Sequence, residues 1–174
     1  MATIDELRKM GQSVWLNYIR RHLIVSAGLK EFIDKGIVGF VSNPLILPNI
    51  IFGSTDYDKT IKSLSEQGKQ DREIYEDIVF HDIRQLTNLL LPVYRSTQAI
   101  DGYVSVGFNP SLAFDTDGIF SEVHRMLSIL DGPNVMINIP STDEGIKAMQ
   151  ELIGEGIHVN ATNIFSLTQY QAVF

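Results

Sequence analysis

Apolar residues along this chain recur at two alternating spacings. SVWL (13 to 16) is a brief apolar run that predicts a strand, and from Ser26 the residues Leu29, Phe32 and Ile33 recur at helical spacing until Gly36 ends the pattern. GFVS (39 to 42) predicts a second strand, closed by Asn43-Pro44 because a proline cannot continue a central strand. A helical region follows, broken around Pro48 and Gly53. The longest helical pattern covers 71 to 95, with Ile74, Ile78, Ile83, Leu86 and Leu90 on one side and Asp71, Glu73, Asp77 and Arg84 elsewhere. YVSVGF (103 to 108) predicts a third strand, Ile119, Val123, Met126, Leu127 and Leu130 a helix, NVMINIP (134 to 140) a fourth strand and GIHVNAT (156 to 162) a fifth. Capping boxes are expected at Thr3 with Glu6, over Ser141 to Glu144, and at Ser166 with Gln169.

Strands separated each time by helical segments imply βαβ units, a parallel sheet and right-handed crossovers. The expected fold class is therefore α/β, in one domain over residues 1–174. Two architectures fit, a doubly wound open sheet or a (β/α)8 barrel. No glycine-rich phosphate fingerprint follows any strand, which weakens the nucleotide-binding form of the first. Sites in either fold gather at the carboxyl ends of strands, and here those ends are Asn17, Ser42, Asn43, Gly107, Asn138, Asn160 and Thr162. Most are neutral and polar. Asn138 stands out, a carboxamide in an otherwise apolar strand.

Composition narrows the classes further. The 44% hydrophobic content of 174 residues supports a cored domain, and a 20% charged fraction is too high for a membrane protein. A net charge of -7 with no basic run argues against nucleic acid and against anionic membrane surfaces as partners, while small polar or anionic substrates stay open. There is no Cys, which excludes thiol nucleophiles, disulfides and Cys-ligated metal. The N-terminus has no apolar signal region, and the expectation is a cytoplasmic protein. His22, His81, His124 and His158 show no metal-ligand spacing, and no metal or other cofactor is expected. Ser42, Ser105 and Ser166 lack a nucleophile context, and the lysines at 9, 30, 35, 59, 62, 69 and 147 all fall in helical or linking segments.

The stretches GQSVWLNYI (11 to 19), FVSNPLI (40 to 46), GSTDYD (53 to 58), IYEDI (74 to 78), LLPVYRSTQAIDGYVSV (90 to 106), NVMINIPST (134 to 142) and GIHVNATNIFSL (156 to 167), in that order, resemble transaldolases. The resemblance implies a TIM-type (β/α)8 barrel. It also implies an enzyme of carbohydrate metabolism that moves a dihydroxyacetone unit between sugar phosphates through a lysine Schiff base. Asn138 stands where the family carries that lysine, and its amide nitrogen, conjugated to the carbonyl, cannot condense with a ketone. Asn17 matches the proton-handling aspartate and Gly107 the glutamate that works with a catalytic water, while Val41 and Leu45 stand where the family tends to have threonines. Ser42, Asn43, Asn160, Thr162 and Ser166 match the family's polar, substrate-binding positions. The three losses are mutually consistent, since removing only a buried lysine would strand two carboxylates at a penalty of roughly 3 to 5 kcal/mol.

A complete barrel takes about 250 residues, so this chain is expected to supply a partial barrel of about five strands. Open edges then invite pairing, giving a homo-oligomer or a complementing chain. The leading expectation is a transaldolase-like protein, truncated and impaired at the Schiff-base step, that binds a sugar phosphate or related small molecule. The alternative is an active enzyme working by a non-covalent route, with Asn138 polarising a carbonyl, or with residues lent by a partner chain.

Overall fold

In a computed structural model, residues 3–174 are described except Tyr18, Ala27, Pro44 and Leu45. The expected Asn43-Pro44 strand stop and the Leu45 substitution therefore lie partly or wholly outside the described residues. The elements alternate as the hydrophobic pattern predicts. They are α1 (Ile4–Lys9), β1 (Trp15–Leu16), α2 (Arg21–Val25), α3 (Gly28–Asp34), β2 (Gly39–Ser42), α4 (Leu47–Phe52), a 3-10 turn (Thr55–Tyr57), α5 (Asp58–Glu66) and α6 (Asp71–Ser96). After these come β3 (Tyr103–Gly107), a second 3-10 turn (Pro110–Leu112), α7 (Thr116–Leu130), β4 (Val135–Pro140), α8 (Asp143–Gly154), β5 (Val159–Thr162) and α9 (Leu167–Val173). The five strands follow chain order in one sheet. This is an α/β fold of parallel strands with flanking helices, consistent with a partial (β/α) barrel.

Two compact units divide the chain, Met1–Val104 and Ser105–Phe174. In the first, β1 pairs parallel to β2 with Trp15 opposite Gly39. The pairing explains the glycine, because a Cβ at position 39 would lie 2.4 Å from the Trp15 ring. β1 is shorter than SVWL suggested, only Trp15–Leu16. The 26-residue α6, about 39 Å long at 1.5 Å per residue, packs on β2 and buries Ile74, Ile78, Phe80, Ile83, Leu86 and Leu90. Ile50, Ile51 and Tyr57 join Ile74 and Ile78 in one apolar cluster.

In the second unit β4 pairs parallel to β5, with Asn138 opposite Asn160 and Pro140 opposite Thr162. Burial alternates strictly along β4: Val135, Ile137 and Ile139 are buried, and Met136, Asn138 and Pro140 are half-buried on the other face. The buried set meets α7 and α8, which contribute Ile119, Val123, Met126, Leu130, Ala148, Met149 and Leu152. β5 is half-buried throughout, and α9 buries none of its residues.

Caps set the helix starts that follow the strands. Thr3 and Glu6 form the expected box, and Ser166 accepts from the Gln169 backbone N–H while the Gln169 side chain accepts from Phe165 N. At the start of α8 the cap is Thr142, accepting from Gly145 N, and no Glu closes a box there. Ser141 is diverted instead: its backbone N–H and its hydroxyl both donate to the Thr162 carbonyl at 2.9 Å. That pair of bonds ties the end of β4 to the end of β5.

Candidate functional site

The residues singled out at strand ends fall into the two units, and each unit assembles its own group. In the first, Asn17 directly follows β1 and is exposed. Val41 is half-buried in β2, and Asn43 just beyond it accepts the backbone N–H groups of Ile46 and Leu47, so its carbonyl starts the turn into α4. Ser42 is 3% exposed and lies on the strand face opposite Val41. It lines a cavity with Ile51, Tyr57, Ile78, Asp82 and Leu86.

That cavity abuts a feature the hydrophobic pattern did not reveal. Arg21 donates from Nε and Nη2 to Asp82 Oδ1, at 2.9 and 2.6 Å, and from Nη1 to Thr60 Oγ1 at 2.9 Å. The Tyr57 hydroxyl donates to Asp82 Oδ2 at 3.1 Å and accepts from Arg21 N, and the guanidinium sits 4.4 Å over the Tyr57 ring. Both charged side chains are only 13% exposed. Burial, reinforced by the adjacent Asp82 charge, raises the Tyr57 pKa far above the usual phenol value. Every acceptor of Asp82 is engaged within the cluster, which pins α2, α5, α6 and the first 3-10 turn together. Beside it Arg20 donates to Asp56 at 2.8 Å, and that hydrogen bond lowers the Asp56 pKa.

In the second unit three side chains from adjacent strands converge. Ser105, fully buried in β3, donates its hydroxyl proton to Asn138 Oδ1. Asn160 Nδ2 donates to the same oxygen at 2.9 Å and to Ser105 Oγ at 3.1 Å. Gly107 ends β3 two residues beyond Ser105, hence on the same strand face. Thr162 donates its hydroxyl to the Ile139 carbonyl at 3.2 Å, and Ser166 is engaged as the cap of α9. The structure thus joins Asn138 to Asn160 and gives Thr162 and Ser166 backbone partners. Ser105, set aside on sequence grounds for want of a nucleophile context, is the residue that fixes the group; the signal for it is its parity with Gly107 on a strand beside that of Asn138.

This arrangement is a neutral hydrogen-bonding site. None of the seven lysines lies on a strand; they occupy helices and connecting segments. Among the described residues no group of three or more His, Asp and Glu side chains is placed to hold a metal ion. No helix among them is long and apolar enough to cross a membrane.

Comparison with known proteins defines the class. The family model described as Transaldolase/Fructose-6-phosphate aldolase matches residues 14–174. The chain belongs to this transaldolase/fructose-6-phosphate aldolase family. It is 41% identical over 166 residues to a transaldolase of Trichodesmium erythraeum, covering 95% of this chain and 44% of that protein. Against a protein named transaldolase 2 of Nostoc punctiforme the figures are 39%, 95% and 44%, and against a transaldolase of Thiobacillus denitrificans 38%, 100% and 49%. The chain spans less than half the length of these relatives.

Proposed function

We propose that this chain is a transaldolase-like protein of carbohydrate metabolism that is impaired in Schiff-base catalysis at position 138 and holds its sugar-like ligand without a covalent bond. One observation carries the reading: Asn138 Oδ1 is already the shared acceptor of Ser105 and Asn160, so the side chain is locked as a hydrogen-bonding amide in the middle of the strand-end group. A carboxamide nitrogen has no free lone pair for attack on a carbonyl, but it can donate a hydrogen bond to a carbonyl oxygen. Asn17 and Gly107 add no titratable group at the positions where the resemblance expects an acid. Incubation with fructose 6-phosphate followed by borohydride reduction and intact-mass measurement tests this. The expected result is an unmodified chain; a reduced adduct on any lysine overturns the reading.

Association with a second copy of the chain belongs to the same proposal. Phe165, Leu167 and Phe174 are 72% or more exposed around the half-buried β5. Residues 157–174 contain no Asp, Glu, Lys or Arg. Two copies that each carry a net charge of -7 repel least where they meet through such a stretch.

A further inference from the structure

Three Asp-Gly pairs occur in the chain, Asp101-Gly102, Asp117-Gly118 and Asp131-Gly132. An aspartate followed by glycine can modify its own backbone, because the glycine nitrogen is not shielded by a Cβ. That nitrogen attacks the aspartate Cγ, a carboxyl oxygen leaves as water, and the main chain closes into a succinimide ring. Water then opens either carbonyl of the ring, which returns aspartate or leaves a β-linked isoaspartate, with no net change in mass and no oxidant or cofactor. Closure requires the peptide group between the two residues to turn about the aspartate Cα–C bond. Hydrogen bonds on that peptide therefore decide which pair reacts.

In Asp101-Gly102 both groups of that peptide are engaged. Gly102 N–H donates to the Val38 carbonyl at 2.8 Å, the Asp101 carbonyl accepts the Thr97 hydroxyl at 3.4 Å, and the Asp101 carboxylate accepts the Ser13 hydroxyl at 2.6 Å. Asp117-Gly118 lies in the first turn of α7, where Gly118 N–H donates to the Asp115 carboxylate at 3.0 Å and the helix fixes the backbone. Asp131-Gly132 differs from both. Asp131 ends α7 in the left-handed conformation, φ 42° and ψ 54°, with its own N–H bonded to the Leu127 carbonyl at 3.0 Å. Aspartate is one of the few residues besides glycine that visit this region. Among the described residues neither Gly132 N–H nor the Asp131 carbonyl has a hydrogen-bond partner, and the exposed Asp131 carboxylate has no ion pair. Turning this peptide breaks no bond and takes Asp131 out of a disfavoured backbone conformation. A Cβ at Gly132 would lie 3.5 Å from Val135 and 3.7 Å from Asn134, ordinary contacts, so packing does not demand the glycine.

We propose that Asp131 is a self-modification site, at which succinimide closure onto Gly132 converts the aspartate to isoaspartate in the folded chain. The added methylene enters the connection between α7 and β4, ahead of the start of β4 at Val135, while Asn138 lies towards the other end of that strand. The test is incubation of the full chain at neutral pH in water enriched in heavy oxygen, because each closure and reopening writes a heavy oxygen into the residue. Proteolysis and electron-transfer fragmentation then locate the label and distinguish the β-linked form. Asp131 is expected to label at least about ten-fold faster than Asp101, whose peptide must first break its hydrogen bonds, the equivalent of ~1.4 kcal/mol. In urea, where those bonds are gone, the pairs are expected to label alike. Gly132→Ala keeps Asp131 but shields the nitrogen, and labelling at position 131 is expected to drop to the level of the other two pairs. Asp131→Asn closes the same ring with loss of ammonia and is expected to reach the β-linked product sooner. Label spread evenly over the pairs of the folded chain, a lead for Asp131 that persists in urea, or labelling of Gly132→Ala equal to the parent overturns the proposal.

Discussion

Replacing Asn138 with leucine removes the shared acceptor of the strand-end group, and its effect on stability can be worked out from the contacts. Ser105 is fully buried, and Asn138 Oδ1 is the acceptor of its hydroxyl proton. A buried donor that loses its partner costs about 1 to 3 kcal/mol. Asn160 Nδ2 keeps its bond to Ser105 Oγ, so its share of the loss is small. Leucine at a half-buried position recovers part of this through apolar burial, leaving an expected destabilisation of about 1 to 2 kcal/mol. Asn138→Asp is expected to stay within about 1 kcal/mol of the parent, because a carboxylate still accepts both bonds and does so more strongly. Asn138→Leu with Ser105→Ala is expected to be less destabilised than the sum of the two single changes, since removing both partners leaves no orphaned donor. Urea unfolding followed by circular dichroism measures all four proteins, provided the slope with denaturant is unchanged. If Asn138→Leu matches the parent and the double variant is simply additive, the three side chains do not act as a unit.

Three further outcomes follow from the geometry. Asp82→Asn leaves Arg21 buried without its counter-charge and is expected to destabilise the chain by about 3 kcal/mol; thermal melting checks this, and a change below about 1 kcal/mol would mean the pair is effectively solvated. His124 donates towards the Phe120 carbonyl and to Glu155 across α7 and α8, and these bonds, the backbone one first, raise its pKa. Its contribution is fully present below the ordinary histidine range and disappears as pH rises through the raised folded value. For so exposed a pair it amounts to about 0.2 to 1 kcal/mol, and His124→Gln should remove that part of the pH dependence of urea midpoints between acidic and mildly alkaline buffer. Light scattering should show concentration-dependent association that Leu167→Lys with Phe174→Lys abolishes; an unchanged monomer at high concentration contradicts the self-association proposal.

How much of this was legible in the sequence depended on the range of the interaction. GFVS is β2 to the residue, and the 71 to 95 pattern is α6 with one added residue, because the period of burial is written locally into both. Ser166 caps α9 by accepting from Gln169 N, again a contact three residues long, but the Gln169 side chain accepts from Phe165 N, so the expected box does not close on Ser166 N. The start of α8 defeated the same reasoning. Ser141 has the spacing for a capping box, but the neighbouring strand offers the Thr162 carbonyl, and the cap moves to Thr142. Arg21 and Asp82 are 61 residues apart and belong to helices whose pattern gives no reason to pair them. Ser105 had no motif of its own, and only the parallel register that places Asn138 beside Asn160 shows what it holds. Of the site, the sequence marked Asn138 and Asn160 as polar strand-end positions, and the structure adds the hydrogen bonds that join them to Ser105.

Carbon NMR of dihydroxyacetone labelled at its carbonyl carbon, added to the full chain, bears most directly on whether Asn138 has become a non-covalent partner. The account predicts that the label stays a ketone in fast exchange, its resonance moving with protein concentration, and that Asn138→Leu abolishes the movement. An imine or carbinolamine signal, or a ketone resonance indifferent to the protein, would contradict it.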